Sequence, residues 1–158
     1  MIDFPALLRT LVDSGVEFII VGGAAATAHG AARLTQDLDV VYARDPGNLE
    51  RLAAALAPHE PYLRGAPDGL PFSLDADTLA RGLNFTLTTK LGDLDLLGEI
   101  TGGGGYTDLM PESIEIELFG VHCRCLGLAK LIEVKRAAGR PKDLEALAEL
   151  EAIRAEAE

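Results

Sequence analysis

Residues 21–42 read VGGAAATAHGAARLTQDLDVVY, and the fold turns on how that stretch is parsed. The apolar run leading into it, VEFIIVG at 16–22, has the composition of a strand and stops at two adjacent glycines. Ala24 to His29 then reads as a short helix that Gly30 can end in the left-handed conformation. DLDVVY at 37–42 reads as a second strand. Side chains alternate along a strand, so Asp37 and Asp39 share one face while Leu38 and Val40 point to the core. Thr35 falls on the aspartates' face, and Arg33 joins it if the chain stays extended that far. Strands disfavour aspartate, and two like charges this close destabilise a fold unless a cation stands between them. Oxygen-only ligands with open positions suit Mg²⁺ (or Mn²⁺), which keeps its remaining sites for water and phosphate.

Gly22 and Gly23 strengthen that reading. A strand that runs through glycines into a helix leaves backbone N–H groups at the helix start, where the dipole favours an anion. Glycine also lets a phosphate approach the backbone closely. Downstream, KLGDLDLLG at 90–98 again sets a carboxylate, Asp95, between Leu94 and Leu96, whereas Asp93 beside Gly92 can simply finish a turn. Three acids around metal ions can activate an acceptor hydroxyl and steady a departing pyrophosphate.

The rest of the chain supplies the frame. Asp3 can cap a first helix that ends at Gly15, and Asn48 can cap LERLAAALA after the turn ARDPGN. Residues 58–75 read as loop, and the glycines at 102–105 as a tight turn or a mobile connector. SIEIELFG alternates as a half-exposed strand should and pairs with VHCRCL across Gly120. Two helices close the chain, one over about 127–138 and one after Pro141 or Asp143. Roughly six strands among five or six helices make an α+β fold: a mixed β-sheet flanked by helices, with a small C-terminal helical cap. Residues 1–105 are expected to form the core, and 106–158 a strand-pair and two-helix extension of the same compact domain.

The chain has 158 residues, 48% of them hydrophobic, enough for one domain with a real core. A formal net charge of −11 repels polyanions as a whole. Between Arg124 and Lys142, however, the balance is about +5, so an anionic partner is expected there. Cys123 and Cys125 are two apart on one strand, poorly placed to bridge, and read as reduced core thiols. His122 points away from both, which argues against zinc. No basic leader and no long apolar run is present, so a cytoplasmic protein with no membrane contact is expected.

The order Gly22-Gly23, then Asp37-Leu38-Asp39, then Asp95 in a later strand resembles the nucleotidyltransferase superfamily. GGAAATAHGAARLTQDLDV is similar to the AbiEii-like group, which includes the MenT-type toxins of type IV toxin–antitoxin systems, and LIEVKRAAGRPKDLEAL at 131–147 resembles that group too. The resemblance implies a nucleotidyltransferase fold and transfer of a nucleoside monophosphate from an NTP to an acceptor hydroxyl. By it, Asp37 and Asp39 bind both metals, while Asp95 takes the acceptor-side metal and acts as base. Lys135 and Asp143 complete a nucleotide site with Gly22, Gly23, Arg33 and Thr35. The acceptor it implies is the 3′ end of a tRNA, and the partner a cognate antitoxin protein.

Two departures stand out. Many superfamily members carry a serine where this chain has Gly23, and Thr35 is the candidate substitute. The C-terminal helical lobe shrinks to two helices, which bears on acceptor recognition. Other readings stay open beside this one. The chain could be an antibiotic-type nucleotidyltransferase with a small cationic acceptor, or a nucleotide- or partner-binding module without turnover. Lys135 is either solvated charge or, with Arg140 and Lys142, a triphosphate contact. Asp143 is either a helix cap or part of the site, and His29 either closes its helix or touches nucleotide.

Overall fold

The structure, a computed structural model, describes residues 2–32 and 35–157; Arg33, singled out above, lies outside the described residues. Helix α1 (Phe4–Asp13) is capped by Asp3, whose Oδ1 accepts the Ala6 N–H at 3.1 Å. Strand β1 (Phe18–Val21) runs directly into α2 (Gly22–Ala28), and β2 (Asp37–Tyr42) returns antiparallel to β1. After α3 (Pro46–Leu56) come β3 (Tyr62–Leu63), α4 (Ala76–Arg81), β4 (Phe85–Thr89) and β5 (Gly92–Leu97). A two-stranded ribbon, β6 (Glu99–Ile100) with β7 (Gly104–Gly105), and the short α5 (Tyr106–Leu109) follow. The chain ends with the hairpin β8 (Ser113–Leu118) and β9 (Val121–Leu126), then α6 (Leu128–Ala138) and α7 (Pro141–Ala157).

Seven strands make one mixed sheet in the order β3-β4-β5-β2-β1-β9-β8. β5 pairs parallel with β2, and β9 parallel with β1; the other pairings are antiparallel. On the face away from the aspartates Leu38, Val40, Leu94 and Leu96 are buried, in the same core as Leu7, Leu8 and Leu11 of α1 and Leu49, Leu52 and Leu56 of α3. Each fully buried leucine stabilises the fold by about 2 kcal/mol. That apolar face holds the sheet together against the charge crowded on its other side. Among the described residues, no helix is long and apolar enough to cross a membrane.

Several local expectations are corrected. The strands number nine among the described residues, not six, because β3, β6 and β7 are only two residues long. Asp45 rather than Asn48 caps α3, accepting the Asn48 N–H at 3.1 Å. Pro46 in the first turn decides it, since proline is favoured at the first helical position. Asn48 is instead fully buried and links Glu17 to Ala43 through hydrogen bonds of 2.7 Å on each side. The 58–75 stretch is not all loop: it contains β3, whose edge pairing carries Arg64 into the site. The 102–105 glycines form a tight turn, with positive φ at Gly102 and Gly104, that closes the β6–β7 ribbon.

Candidate active site

The pairing of β2 with β5 builds the site. Their register sets Asp37 opposite Asp93 and Asp39 opposite Asp95, so the two Asp-Leu-Asp runs lie side by side in parallel. Residues in register on neighbouring strands point to one face, about 4.8 Å apart. Four carboxylates are thereby gathered on the face opposite the leucines. Asp37, Asp39 and Asp95 each offer one oxygen within 4.8 Å of the others, among the described residues the only cluster that could hold a metal ion.

Burial and like charge leave their mark on Asp39. Burial, then the charges of Asp37 and Asp95 and a hydrogen bond shared with Asp95, push its carboxyl up to about 8, against a smaller opposing pull from Lys135. Its Oδ1 is buried with no hydrogen-bond partner among the described residues. An orphaned acceptor of this kind costs free energy unless a cation takes it up. Oxygen-only donors, one of them unsatisfied, fit Mg²⁺ or Mn²⁺.

The glycine pair is fitted to this cluster. Gly22 has φ +65°, and a Cβ there would sit 2.2 Å from Asp39 Oδ2. A Cβ on Gly23 would sit 2.9 Å from the hydroxyl of Thr35. Thr35 in turn donates to the Asp37 carbonyl at 2.9 Å, with Asp37 Oδ1 at 3.2 Å. The start of α2 therefore lies against both aspartates of β2, directly or through Thr35, and its first N–H groups have no partner within the helix.

The opposite wall comes from α6 and α7. Asp143, 0% exposed, receives Lys135 Nζ at 3.4 Å and Arg140 Nε at 2.6 Å. Burial works to raise the Asp143 carboxyl, but Arg140 and Lys135 outweigh it and hold it below the ordinary carboxylate range. Buried this way, Asp143 aims the two cations and makes no contact with solvent itself. Lys135 and Arg140 line both of two cavities that meet at Asp39. One, about 380 Å³, is bounded further by Asn84, Glu99, Thr101 and Val134. The other, about 350 Å³, takes in Gly23, Thr35, Asp37, Asp95 and Lys142. Each is of ligand-pocket size.

The structure thus brings together Gly22, Gly23, Thr35, Asp37, Asp39, Asp95, Lys135 and Asp143 from the sequence reading. His29 stands apart, its Nε2 2.8 Å from the Leu126 carbonyl, as part of the packing of α2 on β9. Cys123 and Cys125 are free and buried, and burial pushes the Cys125 thiol up to about 12. In the basic segment Lys130 pairs with Glu133, Arg136 with Glu151, and Lys135 and Arg140 share Asp143; Glu151 and Asp143 offset two of its roughly five excess charges, and Lys135, Arg140 and Lys142 line the cavity.

Sequence reasoning passed over three residues. Asp93 is no turn residue but a strand partner of Asp37. Arg140 was noted only as a neighbour. Arg64 was missed altogether: Nη2 donates to Asp95 Oδ1 at 2.7 Å, Nε stands 3.3 Å from Asp93 Oδ2 and Nη1 3.9 Å from Asp37 Oδ2. A surplus of four acids on one face was the available sign that an internal cation had to come from elsewhere.

A pH prediction follows from Asp39. Its folded value lies above the ordinary 3.8, so in the metal-free protein this group costs stability progressively as pH rises from about 4 to about 8. A bound divalent ion must displace that proton. The melting temperature is therefore expected to rise more on adding Mg²⁺ at about pH 8.5 than at about pH 6. Equal shifts at both, read by scanning fluorimetry, would remove Asp39 from the metal site.

No family model matches the chain, and no curated protein matches it in sequence. Solved structures do. A Thermotoga maritima protein assigned as a nucleotidyltransferase, TM1012, superposes with a TM-score of 0.58 at 16% identity, covering 94% of each chain. The lincosamide antibiotic adenylyltransferase LnuA, solved with lincomycin bound, gives a TM-score of 0.61 at 13% identity, again covering 94% of each chain. An antigenic nucleotidyltransferase-like protein from Paracoccidioides brasiliensis gives 0.55 at 15% identity, covering 92% of this chain and 72% of that one. The likeness establishes an α+β nucleotidyltransferase fold, the one the residues 21–42 suggested.

Proposed function

We propose that the chain transfers a nucleoside monophosphate from an NTP to an acceptor hydroxyl, with loss of pyrophosphate, in a reaction requiring Mg²⁺ or Mn²⁺. The observation that carries this reading is the convergence of Asp37, Asp39 and Asp95 within 4.8 Å beside the Gly22-Gly23 turn. Asp37, Asp39 and Asp95 would hold the ion, which would supply charge neutralisation at the triphosphate and a more acidic acceptor hydroxyl. The chain's own groups do the rest. Gly22 and Gly23 present backbone without side chains to the phosphates, and Lys135 and Arg140, aimed by Asp143, balance their charge. Asp95 receives the acceptor proton.

Two acceptors are supported by different observations. The likeness of residues 22–40 and 131–147 to AbiEii-like and MenT-type sequences favours the 3′ end of a tRNA, and with it a toxin held by a cognate antitoxin. The formal net charge of −11, and the fold shared with LnuA, favour a small acceptor carrying positive charge.

Incubation with Mg²⁺ and each of the four α-labelled NTPs, once with total RNA and once with a panel of small amino-bearing alcohols, tests both. Label in RNA, weakening steeply with added salt, selects the first. Label in the small alcohols selects the second. Binding of NTP with no label in RNA, small alcohols or the protein itself would leave a nucleotide-binding module.

A further inference from the structure

Arg64 does more than offset charge. Its Nη2 donates at 2.7 Å both to Asp95 and to the Leu87 carbonyl, and its backbone N–H donates to the Thr86 carbonyl at 3.0 Å. The guanidinium is thus held by the sheet's main chain as well as by the acids. The turn behind it is tied down too: Tyr62 hydroxyl bonds the Pro67 carbonyl and the Leu70 N–H, and the Tyr62 ring meets Phe72 edge-on. Swinging Arg64 out would break the bond to Leu87 and leave Asp93, Asp95 and Asp37 facing one another unscreened.

Its placement is one-sided. Arg64 contacts Asp37, Asp93 and Asp95, whereas Asp39, whose Oδ2 faces Gly22, keeps an Oδ1 with no partner among the described residues. We infer that Arg64 is a built-in cation that fills the acceptor side of the carboxylate cluster, so that the site takes a single divalent ion, on the Asp39 side, where a pair of ions would otherwise bind. Arg64 is a positioning residue in this scheme. It orients Asp95 toward the acceptor hydroxyl, and it screens the charge that develops on that oxygen as the proton passes to Asp95. The inference rests on the nucleotidyl-transfer reading for its language of acceptor side, but its test does not require turnover.

The test is a count of bound Mn²⁺ by loss of the free-ion paramagnetic resonance signal, run without nucleotide and again with an equimolar non-transferable NTP analogue. Wild type is expected to bind a single ion per chain at saturation. Arg64→Gln is expected to bind a second, doubling the signal lost, and Arg64→Lys, which keeps a cation, to stay at a single ion. Saturation of wild type with two ions overturns the inference and leaves nucleotidyl transfer standing, and it does so even if Arg64→Gln fails to fold. Arg64→Gln that folds and stays at a single ion overturns it as well. A single ion in wild type and a second in Arg64→Gln, with no response to the analogue, keeps the role of Arg64 and removes the nucleotide. No ion in either protein removes both.

Discussion

Asp39→Asn is expected to lower nucleotidyl transfer by about 10³-fold or more while raising the melting temperature of the metal-free protein. Loss of one preorganised group that stabilises charge in a transition state has that order of effect. Asparagine keeps the shape of the side chain but lacks the second anionic oxygen an ion needs. The opposite sign for stability comes from the same residue: burial and the neighbouring acids push the Asp39 carboxyl up to about 8, so its charged form is disfavoured in the fold. An amide removes that conflict. The effect of Mg²⁺ on melting should vanish in the variant. Transfer at more than about a tenth of the wild-type rate would show that the carboxylate cluster is not the reaction centre.

Gly22→Ala is expected to cost about 2–4 kcal/mol of stability and roughly 10²-fold in transfer. Two causes combine. The φ of +65° is one that side-chain-bearing residues rarely adopt, and the new methyl would lie 2.2 Å from Asp39 Oδ2. Backbone or carboxylate must yield, and either movement shifts the carboxylate proposed to hold the ion. Gly65→Ala is the control: its φ of +81° carries similar backbone strain, but nothing lies within 4 Å of the added Cβ. It should lose stability with little loss of Mn²⁺ affinity. Equal losses of Mn²⁺ affinity in the two variants would mean that strain alone, and not the fit to Asp39, explains Gly22.

What could be read in advance was what local periodicity encodes. The alternation in DLDVVY announced a strand with acids on one face, and the glycines before it announced a helix start with open backbone. Both hold because each depends on residues within a few positions of one another. Arg64 was out of reach for the opposite reason. Its bond to Asp95 spans 31 residues and exists only because the sheet runs β3-β4-β5-β2. No spacing rule links an arginine after a two-residue strand to a carboxylate two strands away. The same limit hid the pairing of the two Asp-Leu-Asp runs: each was visible, but their parallel register was not. The partners of the basic segment were hidden for the same reason: Glu151 and Asp143 lie beyond it in sequence and reach it only because the last helix folds back.

The parallel pairing of β1 with β9 joins Ile19 to Arg124, near opposite ends of the chain. During synthesis, Phe18–Val21 therefore emerges long before the neighbour that covers its second edge. A ribosome that has released everything up to Gly120 carries a nascent chain whose strand β1 is bare on one side, apolar and ready to pair with any other extended segment. Fragments cut ahead of Val121 should for that reason be insoluble, and chaperone capture should concentrate on the interval before the final hairpin is complete.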